Sequence, residues 1–553
     1  MAERRGECAR LLEQAQRGAV AGQAREQRQG RVPGRSAMTL PAGRTHSRLG
    51  TTPWLVFEAD EVDQSSMTQN SLQTTPGPRA WARSVTRPAQ EFAATALHAR
   101  SGELPDGLRG TLYRNGPALL ERGGVRVGHW FDGDGAVLAV HFDRGTATAT
   151  YRFVETEGLH EESEAGRLLY GGYGQKAPGP IWKQWERPVK NTANTSVLAL
   201  PDRVLALWEG GWPHALDPET LATVGLTDLA GPGGQLRAGN PYSAHPKRDP
   251  ETGDIYNFGV SIRGRKALLV LYRSNRSGAL AAQSEYELDG APLIHDFVLA
   301  GPYLVFLVPP VRIDLLSVVL GLKSYSEAMR WRPELGTGIL VFRRSDLTLV
   351  ARGADEAWFQ WHLGNGAVAT DRHGLLSLDF VRYEDFSTNR HLGEVATGRT
   401  ETPARGTLWR LRMNPTSARV YELEELSDRS VEFPLVPTAN NGRTWPATYL
   451  VAHRPGTDTT AERYDAIACF DYTEGALIEA DLGDGRYPSE PMIVPDADGT
   501  RQWLLSVVFD GNADRSEVWI FDADALTAGP VCILPLPAAV PLGFHGCWRT
   551  AHD

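Results

Sequence analysis

The sequence predicts an all-β protein whose main part is one propeller domain, and three observations lead to this fold class. From residue 88 onward, short runs of Val, Ile, Leu and aromatic residues are broken by Gly, Asp, Asn or Pro about every ten residues, which is typical of antiparallel strands. Helix-like segments are few and short. The region 88–553 is longer than one β-sandwich usually is and contains no linker-like change in composition, so we predict a single propeller domain there.

The predicted strands follow one another along this whole region. In chain order they include GTLYRNG, RVLALWEGG, DIYNFGVSI, ALLVLYRS, YLVFLVPP, GILVFRR, TLWRLRM, YDAIACFDY, WLLSVVFDG and EVWIFDA. Only SEAMRW (326–331) and YEDF (383–386) indicate helices, and both are short. We find no strict internal repeat, so the number of blades does not follow from self-similarity.

Residues 1–80 differ from the rest of the chain. Residues 1–50 contain ten Arg and four Glu, together with many Gln and Gly, a composition typical of disordered segments. We therefore expect residues 1–80 to be a disordered extension or the result of a mis-assigned translation start, with Met38 or Met67 as the true first residue.

Charge and cysteine content exclude several classes of protein. The net charge is -10 and the predicted domain contains no block of basic residues, so we expect no nucleic-acid partner. The four cysteines form no CxxC pair, which fits a reducing compartment. No signal-like or bilayer-spanning apolar stretch is present, so the predicted location is the cytoplasm.

Four histidines in four separate strand-like phrases are the main candidates for a functional site. The intervals between them are 50, 67 and 183 residues, so a shared site requires four elements that converge on one point. Inner strands of successive propeller blades line one axis and would allow this. Imidazole ligands suit iron, zinc, copper or nickel. The four are His245 in SAHPKRDP, His295 in LIHDFVLA, His362 in FQWHLGNG and His545 in LGFHGCW.

These phrases and others resemble the carotenoid cleavage oxygenases, and in particular the bacterial apocarotenoid oxygenases. The resemblance extends over nearly the whole predicted domain, and its motifs keep the family's order and spacing. They are GTLYRNGP (110–117), HWFDGDG (129–135), NTANTSV (191–197), LALWEGGWPHALD (205–217), AHPKRDPETGDIYNFG (244–259), HDFVLAGPYLVF (295–306), WHLGNG (361–366), VEFP (431–434), SEPMIVP (489–495) and GFHGCW (543–548).

The resemblance implies a seven-bladed β-propeller that carries one iron(II) ion per chain on its central axis, with a cap of loops and short helices. By their positions in the motifs, the four histidines match the family's iron ligands. Three glutamates match carboxylates that accept hydrogen bonds from ligand imidazoles and so fix the orientation of the rings. From the residues alone, solvated glutamates at strand ends are the alternative. The three are Glu209 in LWEGG, Glu432 in VEFP and Glu490 in SEPM.

The resemblance also implies O2 as co-substrate and cleavage of a carbon–carbon double bond to two carbonyl products. Iron suits this chemistry because it exchanges electrons with O2, whereas zinc is redox-inactive. Thr195 in NTANTS matches a family threonine beside an open coordination position, although an ordinary strand threonine is the alternative.

A lipophilic polyene substrate requires a long apolar tunnel with aromatic walls. Trp208 and Trp361 directly precede Glu209 and His362, so we expect both indoles close to the metal and on the tunnel wall. Phe131 in HWFDGDG is a further candidate for substrate binding. Packing of large aromatic residues in the core is the alternative for all three.

The segment 309–322, PPVRIDLLSVVLGL, is the most apolar stretch of sequence outside the predicted strands. An exposed helical patch there would give peripheral contact with a membrane and a route for a lipid-dissolved substrate. A buried connecting segment explains the same text. We expect the protein to be a monomer.

Together these observations predict a non-haem iron(II) dioxygenase that cleaves an apocarotenoid or carotenoid to aldehydes such as retinal. Two alternatives stay open: a dioxygenase for lignostilbene-type stilbenes, and a propeller that binds metal or lipid without catalysis. In stilbene-cleaving relatives a Lys follows a Thr-Glu pair, whereas here Gly158 follows Thr156 and Glu157, which favours the polyene. The presence of all four histidines argues against the non-catalytic alternative.

Overall fold

The computed structural model describes residues 79–551 apart from 181, 183–186, 188, 265 and 371–373. Except for residues 79 and 80, the predicted N-terminal extension lies outside the described residues. Within the described part strands dominate, as the sequence predicts, and the longest helices there have nine residues.

Six sheets of four or more strands are present in the described part, and we number them I to VI along the chain. The first three have five, four and four strands. In order of pairing, sheet I contains Phe92–Leu97, Thr146–Phe153, Asp134–Asp143, Gly110–Leu119 and Gly546–Thr550; sheet II contains Thr223–Leu226, His214–Leu216, Val204–Leu207 and Ser196–Ala199; sheet III contains Lys247–Arg248, Ile255–Arg263, Lys266–Ser274 and Leu280–Leu288.

The remaining three sheets have eight, four and six strands. Sheet IV contains Leu349–Asp355, Thr337–Arg343, Tyr303–Val308, Val298–Ala300, Leu363–Val368, Leu376–Arg382, Thr407–Asn414 and Arg419–Ser427; sheet V contains Val431–Leu435, Ala447–Ala452, Ala466–Asp471 and Ala476–Asp481; sheet VI contains Ser101–Gly102, Cys532–Pro535, Arg515–Asp522, Gln502–Asp510 and Arg486–Pro488, with Met492–Pro495 also paired to Gln502–Asp510.

The sheets differ in number from the seven blades that the resemblance implies. Five are blade-sized units of four to six strands, and sheet IV has eight. Its two halves, 298–355 and 363–427, are antiparallel meanders joined by one parallel pairing of Ala300 with Gly366. Seven separate sheets are therefore not observed among the described residues, because the first strands of these two meanders pair with each other.

The core lies between the faces of consecutive sheets, which form a propeller-like ring. In the strand Asp134–Asp143 of sheet I, Leu138 and Val140 pack with residues of sheet VI, whereas Val137 and Ala139 pack with residues of sheet II. Side chains alternate between the two faces of a strand, so a strand that is apolar on both faces joins two neighbouring sheets. Similar clusters connect the sheets from II to VI. The last strand, Gly546–Thr550, pairs within sheet I and closes the ring.

Short helices and ribbons connect the sheets. The predicted helix at 326–331 is half right, because Tyr325–Ala328 is helical but Met329–Trp331 pairs as a strand with Val311–Ile313. The prediction at 383–386 is wrong, because helix formation starts only at Ser387. None of the helices in the described part is long and apolar enough to cross a bilayer. The other elements are the α-helices Arg83–Thr86, Glu157–Ala165, Leu315–Val319 and Ser387–Val395, the 3₁₀ helices Ala80–Ala82, Trp130–Asp132, Pro333–Leu335, Thr438–Asn440 and Ala523–Ala528, and the ribbon of Glu121–Arg122 with Val125–Arg126.

Candidate metal centre

The four candidate histidines lie at the starts of strands. His362 and His545 directly precede Leu363–Val368 and Gly546–Thr550. His245 lies two residues before Lys247–Arg248, and His295 lies three residues before Val298–Ala300. Each histidine thus enters the site from the start of a different strand, which brings together side chains that are far apart in sequence.

The imidazoles converge on one point. One nitrogen from each ring lies within 4.8 Å of one nitrogen from each of the others. The Nε2 atoms of His245 and His295 are 3.0 Å apart, and those of His295 and His362 are 3.3 Å apart. All four residues are at most 9% exposed. The structure therefore places the complete predicted ligand set in one buried cluster.

The three candidate glutamates each contact a different imidazole of the cluster. Glu432 Oε2 lies 2.6 Å from Nδ1 of His362, and Glu490 Oε1 lies 2.9 Å from Nδ1 of His545. Glu209 contacts Nδ1 of His295. Glu432 and Glu490 are buried, whereas the Glu209 side chain is 31% exposed. The solvated strand-end alternative therefore does not describe Glu432 or Glu490.

The fourth imidazole lies near a carboxylate that sequence reasoning missed. Asp296 Oδ1 is 3.8 Å from Nδ1 of His245 and forms an ion pair of 2.9 Å with Lys247. Its Oδ2 accepts the backbone N–H of Leu363, directly after His362. Asp296 thus connects three of the segments that carry candidate ligands. Its position next to His295 in the phrase HDF was the available signal.

Burial and neighbouring charges set the protonation of these groups. Burial, followed by the adjacent His295, lowers the pKa of His245 well below its ordinary value, and burial also lowers the pKa of His545. Burial acts in the same direction on the pKa of His362, but Glu432 outweighs it and the net shift is upward. Burial alone would raise the pKa of Glu432 and Glu490, but their contacts with His362 and His545 make the net shift downward.

This set of donors fits a divalent transition metal. Three imidazoles direct Nδ1 at a carboxylate, so this nitrogen carries the proton and Nε2 presents a lone pair to the shared point. Lone pairs that face one another at about 3 Å repel unless a cation lies between them. Nearby glutamates also offset the charge of a divalent ion that has neutral imidazole ligands. The four histidines could therefore bind a metal ion.

A cavity of about 410 Å³ lies beside this cluster, which is within the usual range for small-molecule sites. Its wall includes all four residues predicted to contact O2 or substrate: Thr195, Trp208, Trp361 and Phe131. The Trp361 ring centroid is 4.9 Å from that of His295 and 5.6 Å from that of Phe131. These aromatic side chains therefore combine packing with lining of the cavity.

Phe433 and Tyr383 also belong to the site and were missed. Phe433 adopts a positive φ of 53° at an irregularity of its strand, and its ring stacks on His362 with centroids 5.1 Å apart. The Tyr383 hydroxyl donates to Glu432 Oε1 at 3.0 Å. The irregular VEFPL strand, with its proline, was the available signal for Phe433. We find no sequence signal for Tyr383.

Part of the apolar segment 309–322 is an exposed helix. Leu316 and Val319 in the helix Leu315–Val319 are 60% and 54% exposed, and Leu322 beyond it is 63% exposed. Ile313 and Leu315 of the same segment line the cavity. The expectation of an exposed helical patch thus describes part of this segment better than the alternative of a wholly buried connecting segment does.

Comparison with protein families gives a match over almost all of the described residues. The family model of the retinal pigment epithelial membrane protein, RPE65, matches residues 85–550. This range contains the four candidate histidine ligands and the three glutamates that contact them.

Individual relatives agree with the family match. The chain is 32% identical over 495 residues to apocarotenoid-15,15'-oxygenase of Synechocystis, which covers 88% of this chain and 99% of that protein. It is 29% identical over 477 residues to resveratrol cleavage oxygenase 1 of Aspergillus fumigatus, covering 82% and 92%. The crystal structure of the cobalt-substituted Synechocystis apocarotenoid oxygenase superposes with a TM-score of 0.77 at 31% identity, covering 86% of this chain and 99% of that one.

Proposed function

The chain belongs to the retinal pigment epithelial membrane protein (RPE65) family, and from this premise we propose that it is a non-haem iron(II) dioxygenase that cleaves a double bond of an apocarotenoid. The observation that carries the proposal is the convergence of four buried imidazoles beside an apolar cavity. The substrate class follows from the similarity to the apocarotenoid oxygenase of Synechocystis. The products are two carbonyl compounds, including an aldehyde such as retinal.

Iron(II), one ion per chain, is the metal that we propose for His245, His295, His362 and His545. When bound, it would supply redox exchange with O2, which the redox-inactive zinc ion does not offer. Four protein ligands on an ion that accepts six leave room for small molecules. The site therefore requires no further side chain as a nucleophile.

The role that we propose for Glu209, Glu432 and Glu490 is to position the ligand rings. Glu490 is itself fixed, because Oε2 accepts from Arg114 Nη1 at 3.1 Å and from the backbone N–H of Gly546 at 2.9 Å. A carboxylate held in this way keeps the proton of its imidazole partner on Nδ1 and prevents rotation of the ring.

Thr195 is proposed to restrict access to one open coordination position. It lines the cavity, and its carbonyl oxygen accepts the backbone N–H of His545 at 3.2 Å, so it is tied directly to a ligand. Its hydroxyl donates to Asn194 Oδ1 at 3.0 Å, which fixes the side chain. A side chain fixed in this way can limit sterically what binds at the neighbouring position.

The cavity wall supports a polyene as substrate. Burial of extended apolar surface supplies most of the binding free energy at such sites, and Trp208, Trp361 and Phe131 provide flat walls. Gly158 occupies the position where stilbene-cleaving relatives have a lysine. A Cβ atom at this glycine would lie 2.9 Å from Lys190 Cγ, so a larger side chain would require Lys190 to shift. The absence of that lysine supports the polyene over a stilbene.

We further propose that sheet IV counts as two blades and that residues 88–553 form a single seven-bladed domain around the metal. The support is the single parallel pairing between its two four-stranded halves. A separate apolar cluster also lies between these halves, as it does between the other neighbouring sheets.

Peripheral contact of a monomeric, cytoplasmic enzyme with a membrane through 309–322 is also a proposal. Its support is that exposed Leu316, Val319 and Leu322 adjoin cavity-lining Ile313 and Leu315. A substrate dissolved in lipid could then reach the cavity without crossing water.

The experiment that tests the proposed function uses full-length protein loaded with iron(II) without O2. Apocarotenals, intact carotenoids and hydroxylated stilbenes are then offered with O2, and the carbonyl products are identified by mass. We expect cleavage of apocarotenals. Turnover of stilbenes alone would refute the substrate class, and absence of turnover in the presence of bound iron would refute the dioxygenase assignment for this panel.

A further inference from the structure

Arg463 is a buried cation in the wall of the cavity. It lies on the connection between strands Ala447–Ala452 and Ala466–Asp471, and only 8% of its surface is exposed. Among the described residues, no carboxylate oxygen lies within the 4.0 Å that defines an ion pair with it. A buried arginine without such a partner is costly, so its environment requires an explanation.

The observed partners of Arg463 are neutral. Its Nη1 donates to Nε2 of His391 at 3.0 Å. The other ring nitrogen, Nδ1, lies 2.8 Å from the carbonyl oxygen of Thr402 and must donate to it. His391 is therefore uncharged, and the guanidinium carbon lies 5.3 Å and 5.5 Å from the ring centroids of Trp130 and Tyr464. Ring faces stabilise a cation but do not neutralise it.

No acid on the cavity wall compensates this charge directly. The two lining glutamates, Glu209 and Glu432, already contact His295 and His362. Burial lowers the pKa of Arg463, and Glu432 opposes this shift from beyond ion-pair distance. A guanidinium group has five N–H donors, and His391 accepts one of them. The remaining donors are available to a ligand in the cavity.

We propose that Arg463 binds an oxygen-bearing end group of the substrate and that a carboxylate is the group it binds most tightly. The inference rests on the proposed function and specifies the end group of that substrate. A carboxylate matches the planar fork of arginine and neutralises it. An aldehyde oxygen accepts a hydrogen bond but carries no full charge, and a hydrocarbon end leaves the cation unpaired. The expected order of affinity is acid, aldehyde, then hydrocarbon.

Binding without turnover tests this order. Full-length iron-loaded protein, kept free of O2, is titrated with polyenes of one chain length that end in a carboxylate, an aldehyde or a methyl group, and quenching of tryptophan fluorescence gives Kd. In the wild type, the acid should bind about 10- to 100-fold more tightly than the hydrocarbon. Equal affinities of the three polyenes would overturn the proposal.

Two variants assign the preference to the side chain. Arg463→Met should weaken binding of the acid about tenfold or more and leave binding of the hydrocarbon nearly unchanged, whereas Arg463→Lys should keep part of the preference because it keeps the charge. Arg454→Met is the matched control, since Arg454 is paired with Asp465 and lies outside the cavity lining. An equal loss of affinity for acid and hydrocarbon in Arg463→Met would show a purely structural role, and Arg463→Lys gives the same comparison if Arg463→Met does not fold.

A saturated fatty acid of matched length separates the substrate from other carboxylates. It should bind more weakly than the polyene acid, and tighter binding would refute assignment of this site to the substrate. Because these measurements are made without O2, their outcome does not depend on whether the protein has the proposed oxygenase activity. Loss of end-group preference with normal cleavage refutes only the role of Arg463, whereas intact preference without cleavage refutes only the activity.

Discussion

Nδ1 of His362 and Oε2 of Glu432 lie 2.6 Å apart, and both residues are buried. Glu432 also accepts the Tyr383 hydroxyl at 3.0 Å and the backbone N–H of Phe433 at 2.5 Å. The carboxylate is thus fixed by three donors, and it holds the imidazole with Nε2 toward the other histidines. This contact allows a direct test of how far a carboxylate that holds a candidate ligand contributes to metal binding.

Glu432→Gln should reduce the affinity for the metal about 10- to 100-fold, because a neutral amide accepts more weakly from Nδ1 and does not offset the charge of the ion. Competition with a chromophoric chelator measures the affinity. The exposed Glu474→Gln provides the control, and it should bind metal like the wild type. Unchanged affinity in Glu432→Gln would contradict a positioning role for this carboxylate.

Phe433 makes a second prediction, which concerns backbone strain. Its φ of 53° lies in the left-handed region, where a side chain costs about 1 kcal/mol relative to glycine. Both Phe433→Ala and Phe433→Gly remove the ring that stacks on His362. The glycine variant should nevertheless be more stable than the alanine variant by about 1 kcal/mol, as measured by urea unfolding of metal-free protein.

The same pair of substitutions at Val431 provides the control for strain. Val431 lies in the same strand but is not among the described residues with positive φ. Here glycine should be less stable than alanine, because it loses more conformational freedom on folding. If alanine were the more stable variant at both positions, strain at Phe433 would be disproved.

The all-β class of the fold could be predicted from the sequence because it depends on local patterns, and the family resemblance brought together the four histidines that cluster in the structure. Strand periodicity and turn residues are local, and the phrases around His245 and His545 carry the family resemblance that made these residues candidates. The union of two meanders through Ala300 and Gly366 depends on how neighbouring sheets approach each other. No local sequence pattern encodes how closely two neighbouring sheets approach each other.

Residues that act across the fold escaped prediction for a similar reason. Arg463 lies in a polar segment whose sequence predicts a loop. Its proposed role depends on His391, which is 72 positions away. The helix predicted at 383–386 failed because Tyr383 pairs through its backbone with Phe359 instead. In both cases a long-range contact determined the outcome.

Asp296 makes a third prediction. Its two carboxylate oxygens accept from three donor groups, which are the backbone N–H groups of Phe297 and Leu363 and Nζ of Lys247. Asp296→Asn would direct an amide NH2 group at one of these donors, which should lower the free energy of unfolding by about 1–3 kcal/mol. The metal affinity should fall as well, because the segments that carry three candidate ligands lose their common contact.

Urea unfolding and metal titration measure the two effects of Asp296→Asn. The exposed Asp428→Asn is the control and should change neither quantity. A variant with reduced stability but unchanged metal affinity would show that Asp296 supports the fold alone.

Buried histidines outside the metal centre make a fourth prediction, which concerns acid stability. Burial lowers the pKa of His129, His214, His391 and His453 from 6.5 to about 4. Between these two pH values the unfolded chain binds protons that the folded protein excludes, so stability rises with pH. The stabilisation is present above pH 6.5 and is lost as the pH falls toward 4, by up to about 1.4 kcal/mol per pH unit for each histidine.

His129→Gln isolates one of these contributions. His129 Nε2 lies 3.0 Å from the carbonyl oxygen of Asn389, a contact that a glutamine amide can also make while it does not titrate. Urea unfolding of metal-free protein at several pH values between 7.5 and 5 should show a slope reduced by up to about 1.4 kcal/mol per pH unit relative to the wild type. His98→Gln, at an exposed position, should keep the wild-type slope. An unchanged slope in His129→Gln would mean that this imidazole is protonated, or exposed to water, well above pH 4.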